Sequence, residues 1–514
     1  MSARIRLTIL WGVILVSLLA VVSCSSSDSS ETVPRYECTA CKHMLEPDST
    51  TECGYLTVPE NRSKPKGKKI RIYVGIFKSP NDASKKEPVF YLTGGPGAST
   101  ASAFNAFEDT SSFNYFRQNF GDNRDIIVID QRGANNAEPA LYCSEELGPL
   151  RSQVYGISYR EAAALRIKGF LTCYKRLKDQ GIDLSAFNTY ENASDIKDLA
   201  LTLGYKKINI YSASYGTRLA MQMMKFYPEI IQSVVLDSIL PPEINPFEQE
   251  TLGVLYSFRS FFDAAQGQFP LLESRFYEML AELDENAVDV TGHHYDASGK
   301  PVDNIVVNIS GEKLVSFLVA ELKQTPYDAA LPNKINEMYV TGDYGAVADA
   351  WISNIDFFFP DGGPGSDSPS VGMYNCMFST SDAYYTSPDR IQRMIDQNVS
   401  NPAIASWLET AFIYVEPGIL GQWPVDPRPF HESDPLVSDI PTLMLVGALD
   451  NATPAIFSRS SAAYLSRSYY FSIPAGHATG YLECVDQMIN RFLKDPLTPP
   501  ENTCSTQYQW AEGF

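Results

Sequence analysis

Ile208-Asn-Ile-Tyr-Ser212-Ala213-Ser214-Tyr215-Gly216-Thr217-Arg-Leu-Ala-Met-Gln-Met-Met-Lys-Phe-Tyr227 is the stretch that decides the fold. Residues 208–211 are a short, mostly apolar run of the kind that forms a strand, and residues 217–227 carry apolar side chains at helical spacing. Ser212 to Gly216 turn one into the other. Such a turn strains its central residue, and small neighbours let helix and strand approach closely. The pentapeptide follows the pattern G-x-S-x-G with Ser212 at the first glycine position, and serine is the next smallest polar choice. Ser214, at its centre, is the candidate nucleophile.

Working outward, the same grammar repeats. Residues 69–77 alternate Ile70, Ile72, Val74 and Ile76 with other side chains, the period of a half-buried strand. Residues 89–92 and 126–129 are continuous apolar runs, each followed by a glycine-containing turn, which fits strands buried on both faces. Residues 192–203 read as a helix capped by Asn192 or Ser194, with Ile196, Leu199 and Leu203 on one face and Gly204 as its stop. Strands follow at 234–236, 443–446 and 469–473, and a closing helix shows Leu482, Val485, Ile489 and Phe492 on one side. Strand, helix, strand in this order predicts an α/β fold with a doubly wound, mostly parallel sheet. From about residue 241 the pattern changes to longer helical stretches rich in aromatics, joined by Gly-, Pro- and Asp-rich loops. The expected layout is a core in two pieces, 37–240 and 431–514, interrupted by a mainly helical insertion, 241–430. The insertion's aromatics, including Trp351 and Phe357 to Phe359, are read as its packing.

A serine nucleophile needs preorganised N–H donors for the oxyanion that it creates. Thr93-Gly94-Gly95-Pro96-Gly97 follows the strand at 89–92; Pro96 has no N–H, so the amides of Gly95 and Tyr215 are the candidate donors. The same tetrapeptide at residues 362–365 has no strand before it and reads as a turn. A base is also needed. Of five histidines, His43, His293, His294, His431 and His477, only His477 follows a late strand in a small-residue turn. His293-His294 read as a polar surface turn, and His43 and His431 as loop residues. The orienting acid is Asp450, at the end of Val446-Gly-Ala-Leu-Asp450, with Asp237 after the strand at 234–236 as competitor. Ser214, Asp450 and His477 then stand in the chain order of one known triad arrangement.

Bulk chemistry bounds the partners. With 41 Lys and Arg against 61 Asp and Glu the net charge is −20, which repels a phosphate backbone, so nucleic acid is not an expected partner. Arg4 and Arg6 precede an apolar run at 7–22 and then Ser23-Cys24, the pattern of an export signal. The end of that run resembles the lipobox of bacterial lipoproteins. It implies a signal peptide over 1–23, a lipid anchor on Cys24, a Ser-rich tether over 24–36, and residence at a bacterial cell envelope. Eight further cysteines in an exported chain predict disulfides, Cys143 with Cys173 and Cys484 with Cys504 by proximity. A redox or metal role for Cys38-Thr-Ala-Cys41 lacks a second close pair and is the weaker reading. Neither a metal nor an organic cofactor is expected.

These elements together resemble the α/β-hydrolases of the proline iminopeptidase and tripeptidyl aminopeptidase branch. The resemblance lies in Cys53-Gly-Tyr-Leu-Thr-Val-Pro-Glu-Asn-Arg62, the loop of Gly94 to Gly97, Asp130-Gln131-Arg132-Gly133, the turn at Ser214, Leu236-Asp237, residues 447–454 and Gly476-His477. It implies that the insertion is a cap and that the enzyme releases residues or short peptides from free N-termini. Arg132 is expected to tie loops near the oxyanion loop. Family members bind the substrate amine with cap acids; Glu248, Glu278 and Asp382 are the possible substitutes here. A carboxylester hydrolase with the same triad, or a surface lipoprotein that binds peptide or glycan without chemistry, are the competing expectations.

Overall fold

In the computed structural model, residues 33–42, 51–79, 86–98, 124–134, 136–296, 298–362, 369–415, 421 and 423–512 are described. The segment 1–32, with Cys24, and His43 lie outside them, as does the side chain of His431. Among the described residues no helix is long and apolar enough to cross a membrane.

The sheet is built from β1 (Arg35–Thr39), β2 (Thr51–Pro59), β3 (Lys69–Phe77), β4 (Val89–Leu92), β5 (Ile126–Ile129), β6 (Ile208–Ala213), β7 (Ile231–Asp237), β10 (Thr442–Gly447) and β11 (Ser468–Ile473). Their order is β1-β2-β3-β5-β4-β6-β7-β10-β11. The first three strands and the junction of β3 with β5 are antiparallel; from β5 to β11 every neighbour is parallel. Parallel strands require crossovers that cover the faces, and this is why the short runs are apolar throughout. Ile127 and Ile129 enter one hydrophobic cluster, Ile126 and Val128 the other; Met444 and Val446 divide from Leu443 and Leu445 in the same way. β3 departs from the half-buried expectation. Its second face is covered too, Tyr73 packing with Tyr55 and Cys53 beside the Cys41–Cys53 disulfide.

Helices α1 (Tyr159–Asp179), α2 (Thr189–Thr202) and α3 (Tyr215–Phe226) belong to the first part of the core. α1 starts on a reciprocal cap in which Ser158 Oγ accepts from Glu161 N and Glu161 Oε2 accepts from Ser158 N. α2 begins earlier than the sequence suggests, because Asn188 rather than Asn192 or Ser194 accepts from Glu191 N at 2.9 Å. Gly204, at φ +82°, ends it as expected.

Among the described residues between β7 and β10, none adds a strand to the main sheet. It forms α4 (Pro246–Ala265), α5 (Leu272–Glu285), a hairpin of β8 (Val288–Gly292) and β9 (Ile305–Ile309), then α6 (Gly311–Leu322), α7 (Leu331–Thr341), α8 (Gly345–Phe358), α9 (Val371–Ser379), α10 (Pro388–Asn398) and α11 (Pro402–Glu409). Trp351 and Phe359 are buried there, whereas Phe357 is exposed. After β10 come α12 (Ala455–Ala462) and, after β11, α13 (Glu483–Lys494). α13 lays Val485, Met488, Ile489 and Phe492 onto the sheet, and Leu482 forms its N-cap instead of its first turn. The disulfides Cys143–Cys173 and Cys484–Cys504 are present. Cys376 is free and buried, so the eight cysteines do not all pair.

Candidate active site

β6 runs into α3 through Ser214, which adopts φ 57°, ψ −131°, outside the regions a non-glycine residue favours. The closeness of the turn is visible at its neighbours. A Cβ on Gly216 would stand 2.1 Å from Leu92 O, and one on Gly94 would stand 2.6 Å from Ser214 Cβ and 2.9 Å from its Oγ. Glycine is required at both positions. Ser212, in place of the usual glycine, is fully buried and donates to Val235 O at 2.8 Å, which satisfies its hydroxyl.

The Gly94 to Gly97 loop lies directly against this turn. Gly95 (φ +105°) and Gly97 (φ +93°) hold conformations that side chains resist, and the Gly95–Pro96 peptide is cis. Gln131 holds the loop: its Nε2 donates to Thr93 O at 2.9 Å and Gly94 O at 3.0 Å, and its Oε1 accepts from Gly97 N at 3.2 Å. Arg132, expected to act near this loop, instead ties Glu60 O, Ala186 O and Asp195 together, with no exposed surface. The one missed signal is that an amide side chain alone in that tetrapeptide can both donate and accept, which a glycine-rich loop needs.

Asp450 and His477, the residues expected to serve as acid and base, are in contact. His477 Nδ1 lies 2.9 Å from Asp450 Oδ2. Asp450 has no exposed surface, and its Oδ1 accepts from Ala452 N and Thr453 N, each at 2.9 Å, while Oδ2 also accepts from Thr453 Oγ1 at 2.7 Å. Burial alone would raise the Asp450 pKa. The charge and hydrogen bond of His477, with the Thr453 donors, outweigh it and hold the carboxyl well below the usual carboxylate range.

Asp237, the competing acid, faces the turn after His477 rather than the imidazole. Its Oδ1 accepts from Thr479 N (2.9 Å) and Thr479 Oγ1 (2.8 Å), and its Oδ2 from Gly480 N (2.7 Å). Burial pushes its pKa up, against those three donors and the His477 charge. Asp486 on α13 is pushed up to about 8 by burial and by the charges of Asp237 and Glu483.

The insertion reaches the base from the other side. His477 N donates to Lys323 O at 2.9 Å, just past the end of α6, and Asn451 Nδ2 donates to Val319 O at 2.6 Å within it. A Cβ on Gly476 would lie 2.1 Å from Gln324 O, and one on Gly447 would lie 1.8 Å from Gly476 O. Acid loop, base loop and α6 therefore interlock through two glycines.

The remaining candidates are engaged elsewhere. Glu248 pairs with Arg390 at 2.6 Å, Glu278 accepts from Tyr339 OH at 2.6 Å, and Asp382 is buried against Arg218 of α3. His294 bridges Asp303 at 2.5 Å and Asp356 at 2.8 Å, and among the described residues no group of His, Cys, Asp and Glu could hold a metal ion. Cys41 is bonded to Cys53, so Cys38-Thr-Ala-Cys41 is not a redox pair.

Residues 87–483 match the family model described as alpha/beta hydrolase fold, and the chain belongs to that family. Among curated relatives, a tripeptidyl aminopeptidase of Streptomyces coelicolor is 26% identical over 312 residues, 58% of this chain and 54% of that protein. The chain thus spans about half the length of that relative. A protein of Escherichia coli provisionally named hydrolase YuaR is 22% identical over 88% of this chain and 87% of its own, and the serine protease Hip1 of Mycobacterium tuberculosis is 23% identical over 38% of each. An alpha/beta hydrolase from a deep-sea metagenome, MGS-M2, aligns with 84% of this chain and 97% of its own at 14% identity and a TM-score of 0.35.

Proposed function

We propose that this α/β-hydrolase is an exported serine hydrolase that cleaves acyl bonds with Ser214, Asp450 and His477, most specifically an aminopeptidase acting on free peptide N-termini. The observation that carries the reading is the His477 Nδ1 to Asp450 Oδ2 hydrogen bond at 2.9 Å, at the same rim of the sheet as a serine in a strained strand-to-helix turn. An ionised Asp450 fixes the proton on Nδ1, which leaves Nε2 free to take the proton of Ser214 Oγ. Ser214 Oγ attacks the acyl carbon, and the amides of Gly95 and Tyr215 receive the oxyanion. His477 returns the proton to the leaving group, and water repeats the sequence on the acyl-enzyme. No step calls for a metal or an organic cofactor.

Peptidase specificity is supported by the aminopeptidase and protease names of the relatives and by the sequence resemblance. A carboxylester substrate is the second reading, favoured by one observation: Glu248, Glu278 and Asp382 each already hold a partner, so none is a bare carboxylate for a substrate amine. Export is supported by the export-signal pattern and by disulfides, which persist in oxidising compartments, and the Cys24 anchor by the resemblance to a lipobox alone.

A fluorophosphonate probe is expected to label the wild type and not Ser214→Ala. Peptidyl arylamides should be cleaved only when the N-terminal amine is free; equal turnover of amine-blocked substrates or simple esters would remove the aminopeptidase reading. A fatty-acid label incorporated into the wild type and absent from Cys24→Ala tests the anchor.

A further inference from the structure

Asp237 sits at the end of β7, between the strand that carries Ser214 and the strand that precedes Asp450. Its backbone and side chain serve opposite partners. The carbonyl oxygen accepts from Ser214 N at 2.9 Å, and so holds the nucleophile's own amide. The carboxylate accepts from Thr479 N, Thr479 Oγ1 and Gly480 N, and so holds the turn that begins at His477. The next residue extends the contact: Ser238 Oγ accepts from Ala478 N at 2.8 Å. Both Ser238 (φ 56°) and Ala478 (φ 62°) adopt positive φ without being glycine, a cost that surrounding contacts must offset. Gly480 completes the fit, since a Cβ there would stand 1.7 Å from Tyr211 OH and 3.2 Å from Asp237 Oδ2.

Three consecutive amides after His477, 478 to 480, thus point at two consecutive residues, and the first of these, Asp237, also holds the amide of Ser214. A loop that only needed covering would not require this. Ser214 and His477 follow different strands, β6 and β11, with β7 and β10 between them, so their separation depends on whatever spans the two turns.

We infer that Asp237 and Ser238 are positioning residues, a bracket that sets the His477 turn against the Ser214 turn. This rests on the proposed hydrolase function. The bracket touches no substrate and takes no proton in the reaction; it acts through the placement of His477. Misplacing a reacting group by about 1 Å can cost on the order of a hundredfold in rate. Asp237→Asn keeps one acceptor and replaces the other with a donor facing a Gly480 or Thr479 N–H. Ser238→Ala removes the acceptor for Ala478, and Thr479→Val removes one hydroxyl, which Thr479→Ser returns.

The test combines kcat and KM on an aryl ester or peptidyl arylamide, the thermal midpoint, and amide hydrogen exchange over residues 478–480. Asp237→Asn and Ser238→Ala are expected to lower kcat by about tenfold to a hundredfold with KM within about twofold, while exchange of the bracketed amides accelerates. Thr479→Ser should recover the kcat that Thr479→Val loses. Folded variants with wild-type kcat, or losses of kcat that merely follow the folded fraction, would overturn the positioning role. Unchanged exchange in Asp237→Asn and Ser238→Ala would overturn the bracket itself. A wild type that fluorophosphonate does not label would instead sink the hydrolase function, and the exchange measurement would still decide the bracket.

Discussion

Replacing Asp450 by asparagine changes two atoms' chemistry and almost no volume, so its consequence can be worked from the hydrogen bonds. With the amide oxygen in the Oδ1 position, Ala452 N and Thr453 N keep their acceptor at 2.9 Å. The NH2 group then occupies the Oδ2 position, 2.9 Å from His477 Nδ1 and 2.7 Å from Thr453 Oγ1. A donor there makes Nδ1 an acceptor, which moves the imidazole proton to Nε2 and leaves no lone pair for the serine proton. The flipped amide would restore the acceptor for His477 but set its NH2 against two buried N–H groups. Leaving those unsatisfied costs about 1 to 3 kcal/mol each, roughly 2 to 6 kcal/mol together. The wrong tautomer therefore dominates, and the expected fall in kcat is on the order of 10³- to 10⁴-fold, about 4 to 5.5 kcal/mol of barrier. The assay is the rate of fluorophosphonate labelling at Ser214 beside kcat/KM on an activated ester, with Asp237→Asn measured in parallel. Labelling within about tenfold of wild type, or an equal loss in both variants, would refute the assignment of Asp450 as the orienting acid.

Gly476→Ala should lower kcat strongly, because its Cβ would meet Gln324 O at 2.1 Å and Leu322 O at 2.7 Å, so the base turn must leave α6; steady-state kinetics at a retained thermal midpoint check it. Phe492→Ala, which empties a fully buried position of α13 far along the helix, should cost about 3 to 5 kcal/mol in urea unfolding without altering KM. Reduction of the Cys484–Cys504 bridge, or the double serine variant, is expected to lower stability by about 2 to 5 kcal/mol, read as a drop in thermal midpoint. The hydrogen bond to Asp303, with help from Asp356 and against partial burial, raises the His294 pKa. Its contribution is therefore full below the unfolded value of about 6.5 and is lost as pH rises through the folded value. His294→Gln should lower the thermal midpoint more at pH 5 than at pH 9, by an amount equivalent to about 1 kcal/mol or less per pair, since the ring is a third exposed.

The amino-acid sequence determined whatever is decided within a few residues. Strands β4 and β5 begin and end where their apolar runs do, because both faces of a parallel strand are covered and the pattern needs no knowledge of what covers them. The Ser214 turn is legible because only small residues permit it, and the chain order of Ser214, Asp450 and His477 was readable for the same local reason. The choice of acid was not. Asp237 and Asp450 each end a buried strand, and only the arrangement of β7, β10 and β11 brings Asp450 to the imidazole and Asp237 to the turn beyond it. The same holds for Cys41, which the antiparallel pairing of β1 with β2 brings to Cys53, twelve residues away, past the nearer Cys38. Gln131 and Arg132 are neighbours in the chain, and only packing reveals that the first holds the Gly94 to Gly97 loop while the second secures α2. Side-chain partners across strands are fixed by tertiary geometry, which local periodicity does not encode.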